Sequence, residues 1–231
     1  ESRDRAKTWR YLDNVPLGEF YEVGLGMDFP YTVCGGLQDN GSWCGPSRGT
    51  DSFGESDEKR MNLSSRDWFS VWGGDGYYVQ IDPRDPKLIY AEAQQGYAGR
   101  IDLSTHRIKF MRPFPKEGMP AFRFNWNSPL QLSKHDPDVL YLGGNHVFRF
   151  TRKGEAWEII SPDLSSRDVE KIITTGSGAE SHGTVVALSE SPLEAALVWA
   201  GTDDGNLHLT RDGGKTWQNL TPKLSSVPKG T

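Results

Sequence analysis

The chain is poor in the patterns that mark the commonest function classes. No apolar run approaches the ~18 residues of a bilayer-spanning helix, so no membrane span is expected. Basic residues are outnumbered, 26 Lys and Arg against 31 Asp and Glu, for a formal net charge of −5. No Lys/Arg stripe stands out, which argues against a nucleic-acid partner. The five histidines, at 106, 135, 146, 182 and 208, lack the i, i+4 spacing or Cys/His clustering of a zinc site. Gly176-Ser-Gly-Ala-Glu-Ser-His-Gly183 looks superficially like a phosphate loop. The strand-like Thr184-Val-Val-Ala-Leu188 follows it, where an anion-binding loop needs a helix N-terminus. Asp203-Asp204-Gly205 is too short for a calcium loop. Neither a metal nor a cofactor is expected.

Cysteine is nearly absent. Cys34 and Cys44 flank a Gly/Asn-rich turn and read equally well as a hairpin disulfide or as two unpaired strand cysteines. One potential pair does not settle the compartment, and a secreted or periplasmic bacterial location is one reading. The chain starts at Glu1 with neither Met nor signal sequence, as a processed product or a fragment would.

What is present is a repeat. Hydrophobic residues make up only 35%, and mean hydropathy is −0.61. Even so, Trp (8) and Gly (26) are plentiful. Thin sheets with tight turns fit that mixture, because strand faces take aromatics and turns take Gly. Thr210-Arg-Asp-Gly-Gly-Lys-Thr-Trp217 is matched in phase by Ser2-Arg-Asp-Arg-Ala-Lys-Thr-Trp9, 208 residues earlier, or four periods of 52. Pro30, Pro86, Pro137 and Pro192 follow a similar spacing of 56, 51 and 55. Repeats of this length made of short strands predict an all-β propeller of four-stranded antiparallel blades. Four to five blades fit within residues 1–231, as part of a larger array.

With strands lettered A to D from the centre outward, one repeat reads Tyr77–Ile81, Leu88–Ala93, Tyr97–Leu103 and Arg107–Met111. The next reads Pro129–Ser133, Val139–Leu142, His146–Phe150 and Trp157–Ile160. A later one reads Thr184–Ser189, Ala196–Gly201, Asn206–Thr210 and Trp217–Leu220. An earlier one shows Tyr21–Gly26, Tyr31–Gly36 and Gly41–Cys44, with no recognisable D strand. The polar stretch 45–66 reads as a long loop insertion.

In the box at 210–217, Asp212 is placed to accept backbone N–H groups, Gly213 and Gly214 to take positive φ, and Trp217 to cover the hairpin. The copy at 2–9 keeps Asp4, Thr8 and Trp9 but has Ala6 in place of Gly214. The copy at 151–157 has lost the Asp and one residue.

These boxes resemble the Asp-box, or bacterial neuraminidase (BNR), repeat superfamily, and within it most closely the bacterial sortilin-like (VPS10-like) repeat proteins often labelled glycosyl hydrolases. The resemblance covers nearly all of the chain outside 45–66. It implies that Asp4, Trp9, Asp212, Gly214 and Trp217 are structural and lie away from any active site. Sialidases of the superfamily carry an early Arg-Ile-Pro element and three arginines. Here Phe122-Arg-Phe-Asn-Trp126 is not that motif, which argues against sialidase activity.

Propeller geometry sends the B–C and D–A loops to one face. That face should collect Asp39, Asp75, Arg123, Asn125, Asn127, Glu180, His182, Asp203 and Asp204, equipment suited to a glycan or peptide. Arg123, Asn125 and Asn127 alternate and should project to one side, leaving Trp126 facing the blade core. Pairing of Arg123 with a neighbouring Asp to hold blades together is an equally good reading. Asp-Gly pairs such as Asp75-Gly76 and Asp204-Gly205 are first of all turn chemistry.

Two functions follow. One is a non-catalytic module binding a peptide or glycan on this face, with further blades or self-association through open sheet edges. The other is a glycoside hydrolase using two carboxylates there, with Asp75 and Glu180 as the catalytic candidates.

Overall fold

The computed structural model describes residues 2–9, 18–48, 67–172 and 181–224. Among them, sixteen strands form four antiparallel sheets of four, and strand order within each sheet follows chain order. Blade 1 contains β1 (Phe20–Leu25), β2 (Thr32–Leu37), β3 (Gly41–Pro46) and β4 (Phe69–Trp72). Blade 2 contains β5 (Gly76–Asp82), β6 (Asp85–Ala93), β7 (Tyr97–Asp102) and β8 (Arg107–Phe110). Blade 3 contains β9 (Leu130–Leu132), β10 (Leu140–Gly143), β11 (Val147–Thr151) and β12 (Ala156–Ile159). Blade 4 contains β13 (Val185–Glu190), β14 (Val198–Thr202), β15 (Leu207–Thr210) and β16 (Gln218–Asn219). The described residues form four blades of a β-propeller. Its only α-helix among the described residues is a single turn, α1 (Val169–Ile172). No helix is long and apolar enough to cross a membrane.

The D strand that the sequence pattern did not reveal is β4, which follows the stretch read as an insertion. Gly45 and Pro46, placed at the start of that stretch by the sequence, complete β3 instead, while 49–66 lie outside the described residues.

The innermost strands pack in succession, β1 on β5, β5 on β9 and β9 on β13. The apolar side chains gather between blades rather than within one. Cys34, Cys44, Val71 and Trp72 of blade 1 meet Val79, Ile89 and Ala91 of blade 2. Leu88 and Tyr90 of blade 2 meet Leu130, Leu142 and Phe148 of blade 3. Tyr141 and Val147 of blade 3 meet Val198 and Ala200 of blade 4. Thin sheets bury their faces only by stacking, and this stacking explains how a chain of low hydropathy still builds a core.

The first seam is tight. A Cβ at Gly24 would sit 2.1 Å from the Val79 carbonyl oxygen, and one at Gly36 would sit 2.2–2.3 Å from the Gly76 backbone. Cys34 and Cys44 face each other across β2 and β3, are fully buried, and form a disulfide.

Hydrogen bonds in the turns account for their sequences. Asp212 accepts from the Thr216 N–H (2.9 Å) and hydroxyl (2.6 Å), while the Thr210 hydroxyl donates to Asp212 and accepts from Gly214 N–H. Asp4, Thr8, Ser2 and Ala6 repeat that pattern bond for bond. Ala6 adopts φ +66° to do so, where Gly214 has φ +96°. Trp217 donates its indole N–H to the Ile160 carbonyl (2.7 Å), tying blade 4 to the end of blade 3. The same Asp-to-Thr stitch, unpredicted, recurs between β1 and β2, where Asp28 accepts from both Thr32 donors. On this side of the propeller Arg84 bridges Asp82 and Asp138, and Glu155 pairs with Arg100 and Lys109, joining blades 2 and 3.

Candidate functional site

The loops joining B to C and D to A meet on the opposite side, in a belt of hydrogen bonds that crosses all four blades. Asp75 Oδ1 accepts from the Asp39 N–H (2.6 Å), and its Oδ2 accepts from the Trp126 indole N–H (3.2 Å). The Asp75 N–H donates to Gln94 Oε1, and the Gln95 N–H donates to the Trp126 carbonyl. Further round, Arg123 and Asn145 exchange main-chain and side-chain bonds, and both donate to Asp163. Arg123 also donates to the Ser165 hydroxyl and the Gly183 carbonyl. Asp203 accepts from the Gly183 and Thr184 N–H groups, the Thr184 hydroxyl and the Asn125 amide. Asp204 accepts from Thr202, Asn206 and the Ser166 N–H.

Most of the candidate residues are therefore joined to one another. Asp39 contributes its main chain, at φ +60°, while its side chain is exposed. Asn127 donates its N–H to Asn125 Oδ1. The pairing of Arg123 with a neighbouring Asp is the arrangement found, at 2.9 Å from Asp163. Glu180 lies outside the described residues.

The charges here are held in place by their donors. Burial alone would raise the Asp163 carboxyl. Hydrogen bonds from Ser165, Asn145 and Arg123 outweigh it and hold the group below its usual range. In Asp204 burial is likewise outweighed, by Thr202, Ser166 and Asn206. His182, Asp203 and Asp204 bring ligand atoms within 4.8 Å of one another, and His182 Nε2 is buried without a hydrogen-bond partner. Every oxygen of the two carboxylates already accepts from protein donors, leaving this cluster poorly prepared for a cation.

Beside the belt, a groove of about 690 Å³ runs between the outer strands β4 and β8. Trp72, Tyr97, Phe110 and Trp126 give it aromatic walls, and Gln94 and Gln95 supply amides. The floor is built locally. Gly99 in β7 leaves room for the Trp72 ring, 2.2 Å from where a Cβ would stand. The Trp72 indole N–H reaches the Tyr97 carbonyl (3.1 Å). A tight 3-10 turn at Gln94–Gly96 forces Gln95 to φ +60°, a conformation that a non-glycine residue seldom takes. Fully buried Glu92 accepts the Gly96 N–H (3.2 Å) and anchors that turn from below. Burial drives its carboxyl well above the usual range, against the lowering effect of backbone donors.

One sequence expectation changes here. Trp126 is not blade core: it lies in a half-buried loop, lines the groove, and is oriented by Asp75. Asp75 is engaged on both oxygens as a clip between loops. Tyr97, Trp72 and Phe110 were missed as site residues. The exposure of Ile108 (55%) and Phe110 (74%) on alternate positions of an outer strand is the feature that marks them.

No protein-family model matches the chain, and no curated protein matches it. Solved structures do. The GH74 enzyme of Niastella koreensis aligns at a TM-score of 0.50 with 14% identity, covering 81% of this chain and 27% of that one. The BT4673 extracellular domain from B. thetaiotaomicron aligns at 0.50 with 13% identity, covering 85% of this chain and 22% of that one. The likeness is one of fold, and the chain spans about a quarter of each neighbour's length.

Proposed function

We propose that this chain is a non-catalytic propeller module that binds a peptide or glycan on the face made by the B–C and D–A loops. The observation that carries the reading is the aromatic groove beside Asp75 and Trp126, of a volume usual for ligand sites. Asp39, Arg123, Asn125, Asn127, His182, Asp203 and Asp204 form or border the frame that holds this face. The Asp75 carboxylate accepts from a different loop on each oxygen, which supports a role in holding the loops of this face together. Hydrolysis by Asp75 and Glu180 would need the two carboxyls about 5–5.5 Å apart, or ~6.5–9.5 Å for inversion. The disulfide supports a secreted or periplasmic bacterial setting. On the outward face of blade 1, Val23 and Leu25 are each 59% exposed, which supports packing of further blades or a second copy there.

The test is intrinsic tryptophan fluorescence with a panel of oligosaccharides and peptides, on the wild type and Trp126→Ala, alongside a hydrolysis assay on the same glycans. Saturable quenching that Trp126→Ala weakens at least tenfold, without product release, is the expected result. Turnover abolished by Asp75→Asn would replace this reading with the hydrolase.

A further inference from the structure

Against Tyr97 and Gln95 of the groove wall sits a cation with no carboxylate partner among the described residues. Arg112 lies over the rings of Tyr97 (5.0 Å), Phe114 (5.3 Å) and Phe124 (4.8 Å), and its Nε donates to the Gln95 carbonyl (3.0 Å). Among the described residues no carboxylate reaches it within 4.0 Å, whereas Arg84, Arg100, Arg123 and Arg149 are all paired. It is half-buried, and burial lowers its pKa, with only Tyr97 acting in the opposite direction. Among the described residues only its Nε has a hydrogen-bond acceptor, and its terminal N–H groups have none. Tyr97 and Gln95 belong both to this box and to the groove wall.

The groove itself is apolar for most of its surface. Val71, Trp72, Ala93, Ile108 and Phe110 face it, against the two amides and Ser70. A sugar carries a hydroxyl on nearly every carbon and would leave many of them unbonded on such walls. Among the described residues the flanking strands β4 and β8 are the outermost of their sheets, and a strand at a sheet edge presents alternating N–H and C=O groups. Extended main chain is the complement of such an edge.

We propose that the groove takes an extended peptide segment in which an aromatic or aliphatic residue is followed by Asp or Glu, whose side-chain carboxylate pairs with Arg112. This deepens the binding reading above and rests on it. The apolar side chain lies against Trp72, Ile108 and Phe110, and the carboxylate completes the charge that Tyr97, Phe114 and Phe124 already orient. Charge-assisted bonds from a pre-oriented guanidinium favour the acidic ligand over its neutral isostere by about tenfold or more.

The experiment uses two probes with blocked ends, so that no terminal carboxylate takes part: acetyl-Phe-Asp-Phe-amide and acetyl-Phe-Asn-Phe-amide. Each is titrated by tryptophan fluorescence against the wild type, Arg112→Gln and Arg112→Lys. The expected result is at least a tenfold preference for the Asp probe in the wild type, lost in Arg112→Gln and partly kept in Arg112→Lys. The preference is a ratio within one protein, so it survives a uniform loss of stability in a variant. Equal affinity of the two probes for the wild type overturns the proposal, as does binding of neither at millimolar concentration. A neutral oligosaccharide that quenches the groove tryptophans equally in wild type and Arg112→Gln would also overturn it, while leaving the binding module intact.

Discussion

Replacing Glu92 with Gln should change how stability depends on pH. Glu92 is 0% exposed, bonded through Oε1 to the Gly96 N–H, and its Oε2 has no partner. Desolvation raises its folded pKa well above 4.5, the ordinary glutamate value expected in the unfolded chain. The sign follows directly. Below 4.5 the group is protonated in both states and makes no difference. Between 4.5 and the raised pKa the unfolded chain releases a proton that the folded chain keeps, so stability falls as pH rises, by about 1.4 kcal/mol per pH unit. Glutamine matches the carboxyl in volume and keeps an acceptor for Gly96, but does not titrate. Any cost of placing its amide N–H₂ beside the unsatisfied site, about 1–3 kcal/mol, is the same at every pH. The measurement is urea unfolding of both proteins at pH 5, 6, 7 and 8 with unchanged m-values. The free-energy difference should move steadily in favour of the variant from pH 5 upward. Parallel curves across that range would refute the claim that burial keeps Glu92 protonated, and with it the anchoring of the Gln94–Gly96 turn by a neutral acid.

The stitched turn and the blade seam give two further tests. Asp212→Ala removes both Thr216 bonds and should lower the midpoint of chemical denaturation, with groove binding unchanged. The Asp212 carboxyl is held down to about 2, with the Thr216 hydroxyl as the largest cause. Its contribution is therefore present above the ordinary Asp pKa near 3.8 and fades as pH falls toward 2. Gly24→Ala drives a Cβ into the Val79 carbonyl and should cost about 1–3 kcal/mol, whereas Gly73→Ala, with nothing within 4 Å, should stay within ~0.5 kcal/mol in the same assay.

The fold was legible because the repeat writes each strand several times. The strands of blades 2 to 4 begin and end within two residues of the pattern for most elements, since Asp-Pro turns and Asp boxes punctuate them. β4 escaped notice because four residues carry too little alternation, and a long polar stretch separates them from β3. The belt was legible as a set of loops but not as a network. Arg123 to Asn127 were read as an extended alternating segment. They form an irregular loop, and Trp126 turns toward Asp75 as a result. The groove was invisible in the sequence for a different reason. Its walls come from two outer strands, the ends of β6 and β7 and the neighbouring loops, and no local pattern records that Gly99 makes space for Trp72 or that Arg112 has no carboxylate partner among the described residues.

Because the apolar clusters lie between sheets, each blade depends on its immediate neighbours and on little else. Such an array behaves as a row of coupled units, in which damage at one seam is felt mainly by the two sheets that share it. The groove straddles the first seam and takes only Trp126 from beyond blade 2. Sequence drift at the seam between blades 3 and 4 can therefore proceed without disturbing the groove walls, and the groove walls can be remodelled while the rest of the array keeps its stability.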